Sequence, residues 1–196
     1  MRPVRIVLIG LLFCTSSVFA DYSRDQAMTV SQLNNIDIAY TTVGDVSAPP
    51  VLMVMGLTGS HRLWGEDLVN GLVDAGYRVV LFDNRDTGES ARLDELGTPT
   101  LWWQLLKNSI GLGVDAPYSL KDMAADGMAV LDELGIAKAH IVGASMGGMI
   151  AQIIATEYPA RTDTLVSIMS TTGAPHLPPP EGQAQSDLQG IADTGD

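Results

Sequence analysis

Ala139-His140-Ile141-Val142-Gly143-Ala144-Ser145-Met146-Gly147-Gly148-Met149-Ile150 is the stretch on which the fold turns. Its first four residues make a short, continuous apolar run of the kind found in a strand buried on both faces. Beyond the serine, Met146, Met149, Ile150 and Ile153 recur at helical spacing. Ser145 therefore lies at a strand-to-helix turn between Gly143 and Gly147, the Gly-x-Ser-x-Gly pattern of a nucleophile elbow. So tight a turn leaves its neighbours almost no room for side chains, which is the physical reason for glycine at both flanks. It lifts the serine above the sheet edge and aims the Met146 amide and the helix N-terminus at one point. Those groups favour negative charge, the charge that develops on a carbonyl oxygen when a serine attacks an ester.

Outward from the elbow, strands and helices alternate. Met28–Leu33 and Ile36–Thr42 alternate around Asn34-Asn35, which predicts an antiparallel pair. Val51–Met55 reads as a buried strand ended by Gly56. Trp64, Leu68 and Leu72 mark a helix that Gly76 closes. Arg78–Phe82 is the next buried strand, followed by the polar loop Asp83–Ser90. Trp102–Ile110 has a helical pattern. Ser119 caps a helix with Met123, Val130 and Leu131 on its apolar face and Gly135 as its stop. Thr164–Met169 is the sixth strand. This alternation predicts the α/β class, a mostly parallel sheet with helices on both faces. Residues 21–174 form the expected core. From Pro175 to Asp196, a proline-rich and then polar segment reads as the start of a cap region and is expected to remain disordered.

The composition narrows the function classes. The chain has 196 residues and a formal charge of −12, with no basic cluster beyond the extreme N-terminus. Nucleic-acid binding needs a basic footprint and is not expected. No lysine-bearing phosphate loop, zinc-ligand spacing or dinucleotide fingerprint is present, so neither metal nor cofactor is expected. The first twenty residues read as a secretory signal peptide: Arg2 and Arg5, the apolar run Ile6–Phe13, then Val18-Phe19-Ala20 before the cleavage point. That run is far short of the ~20 residues that span a bilayer, so no stable membrane anchor is expected. Phe13 stands where a lipobox before Cys14 would require a small residue. Cleavage after Ala20 removes Arg2, Arg5 and the single cysteine, taking the formal charge from −12 to −14. A periplasmic or secreted protein without disulfides is the expectation.

Four collinear patches carry a family resemblance: Val54–Ser60, Phe82–Ser90, Val142–Met149 and Ile168–Gly173. With them the chain resembles the α/β-hydrolases, and within these the aclacinomycin methylesterase-like group. The resemblance implies an α/β-hydrolase fold and a small-molecule ester substrate. It also implies Ser145 as nucleophile, with the Met146 amide as one half of the oxyanion hole. Relatives often read His-Gly after the third strand, where this chain has Met55-Gly56, so by position the other donor is the Leu57 amide. The missing histidine removes a polar anchor of that turn but leaves the main-chain donor in place. Asp83, Arg85 and Asp86 read as residues that tie their own loop together rather than as catalytic groups. Trp102 and Trp103 read as packing residues.

In this family a Ser nucleophile is followed along the chain by an acid and then a histidine. Here His61 precedes the elbow, His140 lies within its strand and His176 opens the proline-rich segment, and none is expected to be the base. Ser170-Thr171-Thr172-Gly173 follow the sixth strand where an acid could stand, while Asp187, Asp193 and Asp196 fall in the tail. A hydrolase core incomplete at its C-terminus is therefore expected, with an inactive remnant or a related acyltransferase or perhydrolase as the alternatives. The leader is directly checkable. Intact-mass analysis of exported protein should find Asp21 as the first residue, and a mature chain beginning at Met1 or lipidated on Cys14 would refute the signal peptide.

Overall fold

The computed structural model describes residues 21–93, 118–174, 176 and 177. The signal peptide at 1–20, Trp102, Trp103 and their predicted helix, and nearly all of the segment from 175 onward lie outside the described residues. Six strands form one sheet: β1 Thr29–Leu33, β2 Ile36–Val43, β3 Pro50–Val54, β4 Arg78–Phe82, β5 Ala139–Ala144 and β6 Thr162–Ile168. Helix α1 is Glu66–Asp74, α2 is Leu120–Glu133 and α3 is Met146–Glu157. The strand order is β1-β2-β4-β3-β5-β6. The first two strands are antiparallel to their neighbours, and β4, β3, β5 and β6 run parallel.

The central strands show why a parallel sheet needs continuous apolar runs. Along β3 and β4, Leu52, Val54, Val80 and Phe82 join a core with residues of α2 and α3. Their alternate neighbours Val51, Met53, Val79 and Leu81 join a second core with Val69 of α1. Period-two alternation thus sends apolar groups to both faces, each covered by helix. At the far edge, β6 pairs with β5 alone among the described residues, and its Leu165 and Val166 are exposed.

Local chemistry sets the helix ends. Ser119 accepts from the Asp122 amide while the Asp122 side chain accepts from the Ser119 amide, a complete capping box. The helix expected from Trp64 instead starts at Glu66, because Gly65 adopts φ 75°, ψ 151° and separates it from a 3-10 turn over His61–Trp64.

A buried polar knot fastens the β4 end to α2. Arg85 Nε and Nη2 donate to the two carboxylate oxygens of Asp126, each at 2.7 Å, and Asn34 Nδ2 donates to Asp126 Oδ1 at 2.9 Å. The guanidinium lies 4.9 Å from the Tyr118 ring centre, and the Tyr118 hydroxyl donates to Asp86. Burial and the bond to Asp86 push the Tyr118 hydroxyl above its ordinary range. The knot ties the loop after β4 to α2 and to the β1–β2 turn. Removing one partner strands the other charge in a dry site. Asp126→Ala should cost about 3–5 kcal/mol in urea unfolding; a loss below ~1 kcal/mol would show that the knot contributes little.

Candidate active site

Ser145 is exposed while Ala144, Met146 and Gly147 around it are buried. Its backbone sits at φ 56°, ψ −124°, a region that a residue with a Cβ rarely occupies. The surroundings hold it there. Its amide donates to the Ile168 carbonyl at 2.9 Å, and its carbonyl accepts from the Gly148 amide at 2.9 Å. The flanking glycines are demanded by close approach. A Cβ on Gly147 would overlap the Val54 carbonyl, and one on Gly143 would overlap the carbonyl of Gly147. Helix α3 therefore starts pressed against the ends of β3 and β5.

The turn after β3 lies beside the serine. A Cβ placed on Gly56 would stand 3.0 Å from Ser145 Cβ and 3.4 Å from its Oγ. Leu57 follows at once, half-buried, and Met146 opens α3 on the other side of the serine. Among the described residues, neither the Leu57 nor the Met146 amide donates to a main-chain acceptor. The structure thus brings the five sequence-predicted residues, Ser145, Leu57, Met146, Gly143 and Gly147, to the C-terminal ends of β3 and β5.

Two side chains of the loop after β4 brace this end of the sheet, and neither connection is visible in the sequence. The Asp83 carboxylate accepts from the His61 amide at 2.7 Å, from His61 Nδ1 at 2.9 Å and from the Glu89 amide at 2.9 Å. Burial pushes the Asp83 carboxyl up, but the bonds from His61 and Glu89 outweigh it and hold the group below the usual carboxylate range. A carboxylate carries no proton, so His61 Nδ1 is the donor, and His61 Nε2 is buried and without a partner among the described residues. Asn84, beside it, donates from Nδ2 to the Met55 carbonyl at 2.8 Å. Asp83, Arg85 and Asp86 are structural ties, as their residue types imply, though their bonds reach beyond their own loop.

The histidines are accounted for as follows. His61 is engaged with Asp83, His140 Nδ1 bonds Thr164 Oγ1 at 2.8 Å, and His176 is exposed on a turn. Among the described residues no histidine hydrogen-bonds Ser145, and no cluster of three or more His, Cys, Asp or Glu could hold a metal ion. No described helix is long and apolar enough to cross a membrane.

The chain is similar to known proteins of one fold. A family model described as "alpha/beta hydrolase fold" matches residues 49–193. Rhodomycin D methylesterase DnrP of Streptomyces peucetius is 35% identical over 127 residues, which cover 65% of this chain and 37% of the relative. Its counterpart DauP from Streptomyces sp. strain C5 is 34% identical over the same length and coverage. The chain therefore spans a little over a third of the length of these relatives. The crystal structure of a hydrolase from Pseudomonas aeruginosa superposes with a TM-score of 0.59 at 21% identity, covering 83% of this chain and 51% of that one.

The Asp83 brace has a signature in pH. A carboxyl whose folded value lies below its unfolded one (about 3.9) stabilises the protein above the unfolded value. It loses that contribution as pH falls through the folded one. Asp83→Asn should lower stability by about 1–3 kcal/mol near neutrality, and the gap to wild type should close on acidification below the ordinary carboxylate range. Parallel unfolding curves at every pH would contradict this.

Proposed function

Because this chain belongs to the α/β-hydrolase family, matched over residues 49–193, we propose that it cleaves a small carboxylic ester with Ser145 as the nucleophile. The observation that carries the reading is the exposed Ser145, held at φ 56° with the Gly56 turn against its side chain. Ser145 Oγ attacks the carbonyl carbon and its proton passes to a base, a group that the described residues do not supply. The carbonyl π-electrons move onto oxygen, and that oxyanion lies between the Leu57 and Met146 amides at the α3 N-terminus. Collapse expels the alcohol, which takes up the proton, and leaves an acyl-enzyme. Water then releases the carboxylic acid and restores the serine hydroxyl. Two methylesterases among the relatives support an ester as substrate. The Arg-flanked leader supports a periplasmic or secreted setting.

Ser145→Ala tests the reading. In a protein spanning the full length of the relatives, hydrolysis of p-nitrophenyl acetate should fall by about 10³-fold or more with the circular dichroism spectrum unchanged. Residual turnover within tenfold of wild type in a folded variant would overturn the assignment. A wild-type product that is chiefly a transferred acyl ester or a peracid would replace hydrolysis by acyl transfer or perhydrolysis at the same serine.

A further inference from the structure

We infer that Asn84 is a positioning residue for the oxyanion-binding turn, an inference that rests on the proposed role of the Leu57 amide. Asn84 is 1% exposed at the end of β4, and its one side-chain hydrogen bond among the described residues runs to the Met55 carbonyl at 2.8 Å. Its Oδ1 is buried with no partner among the described residues. Leaving a buried acceptor unmet is unfavourable, so the side chain is held here for its donor.

That donor acts on the peptide that matters. Met55 and Leu57 are separated only by Gly56, whose two soft dihedrals would otherwise let the Leu57 amide swing. Asn84 fixes the Met55–Gly56 peptide from the β4 side, and the backbone of Gly147 packs against the same carbonyl from the elbow side. The Gly59 amide, donating to the Gly56 carbonyl at 3.3 Å, holds the next peptide. With both peptides fixed, the Leu57 amide is set in place before any substrate arrives. Preorganised donors of this kind stabilise a developing oxyanion without reorganising at the moment of reaction. Met55 itself offers the turn no polar side chain, and Asn84 supplies the anchor from a neighbouring strand.

The sequence provides a clean reporter, because Met55-Gly56 and Met146-Gly147 are its only two Met–Gly pairs. A chain labelled with carbonyl-¹³C methionine and ¹⁵N glycine gives one NMR cross-peak for each peptide, assigned with Met55→Leu. In Asn84→Ala the Met55–Gly56 peak should move while the Met146–Gly147 peak stays. In a protein spanning the full length of the relatives, the kcat for p-nitrophenyl acetate should fall about tenfold to a hundredfold with KM within about twofold. Asn84→Asp should restore the wild-type peak at acidic pH, where the new carboxyl is protonated and can donate, and lose it on ionisation. An unmoved Met55–Gly56 peak, or equal movement of both peaks, would overturn the inference. A displaced Met55–Gly56 peak with unchanged kcat would leave the anchor standing and overturn instead the assignment of Leu57 as oxyanion donor.

Discussion

The close approach of α3 to the strand ends is the constraint from which the rest of this molecule follows. No side chain fits at Gly143 or Gly147, because each would run into main chain: the Gly147 carbonyl in one case and the Val54 carbonyl in the other. Three segments distant in sequence are thereby forced into one small volume: the end of β3, the end of β5 and the first turn of α3. The serine between them has nowhere to go but into a strained conformation above the sheet. Strain of this order costs about 1–3 kcal/mol and persists only where the surroundings over-determine it. Here the apolar packing beneath supplies that determination, with Ile141, Ile150 and Ile154 fully buried.

Above this apolar floor the connections change character. At the β4 end, Asp83, Asn84 and Arg85 are consecutive, yet each reaches a different part of the fold: the 3-10 turn at His61, the Met55 carbonyl, and Asp126 on α2. Hydrophobic burial is non-directional and can bring loops together without orienting them. Hydrogen bonds from buried side chains supply the orientation. A site whose chemistry depends on where individual amide hydrogens point needs both, and in this chain the two contributions are spatially separated. The sheet interior gives cohesion, and the ring of polar residues at its C-terminal ends gives aim.

This division also explains which features the sequence reveals. The elbow was readable because three short-range signals coincide there: a continuous apolar strand, paired glycines and a 3.6-residue period. The Ser119 cap and the antiparallel β1–β2 pair were readable for the same reason, since each is encoded within a few residues. Helix α1 starts two residues beyond Trp64, which satisfies the helical period, because the break is imposed by the backbone of Gly65. The bonds from Asp83 to His61 and from Asn84 to Met55 join residues 22 and 29 positions apart, and Arg85 meets Asp126 across 41. A polar loop announces that its side chains will bond to something; only the register of the sheet decides to what.

Ser145, Leu57 and Met146 are proposed to form one reactive centre. A crystal structure of the protein after reaction with an alkyl fluorophosphonate tests it most directly. Phosphorus should be bonded to Ser145 Oγ, with the phosphoryl oxygen about 2.7–3.1 Å from both the Leu57 and the Met146 amide nitrogens. An adduct on another residue, or a phosphoryl oxygen at Ser145 turned away from those two amides, would contradict it.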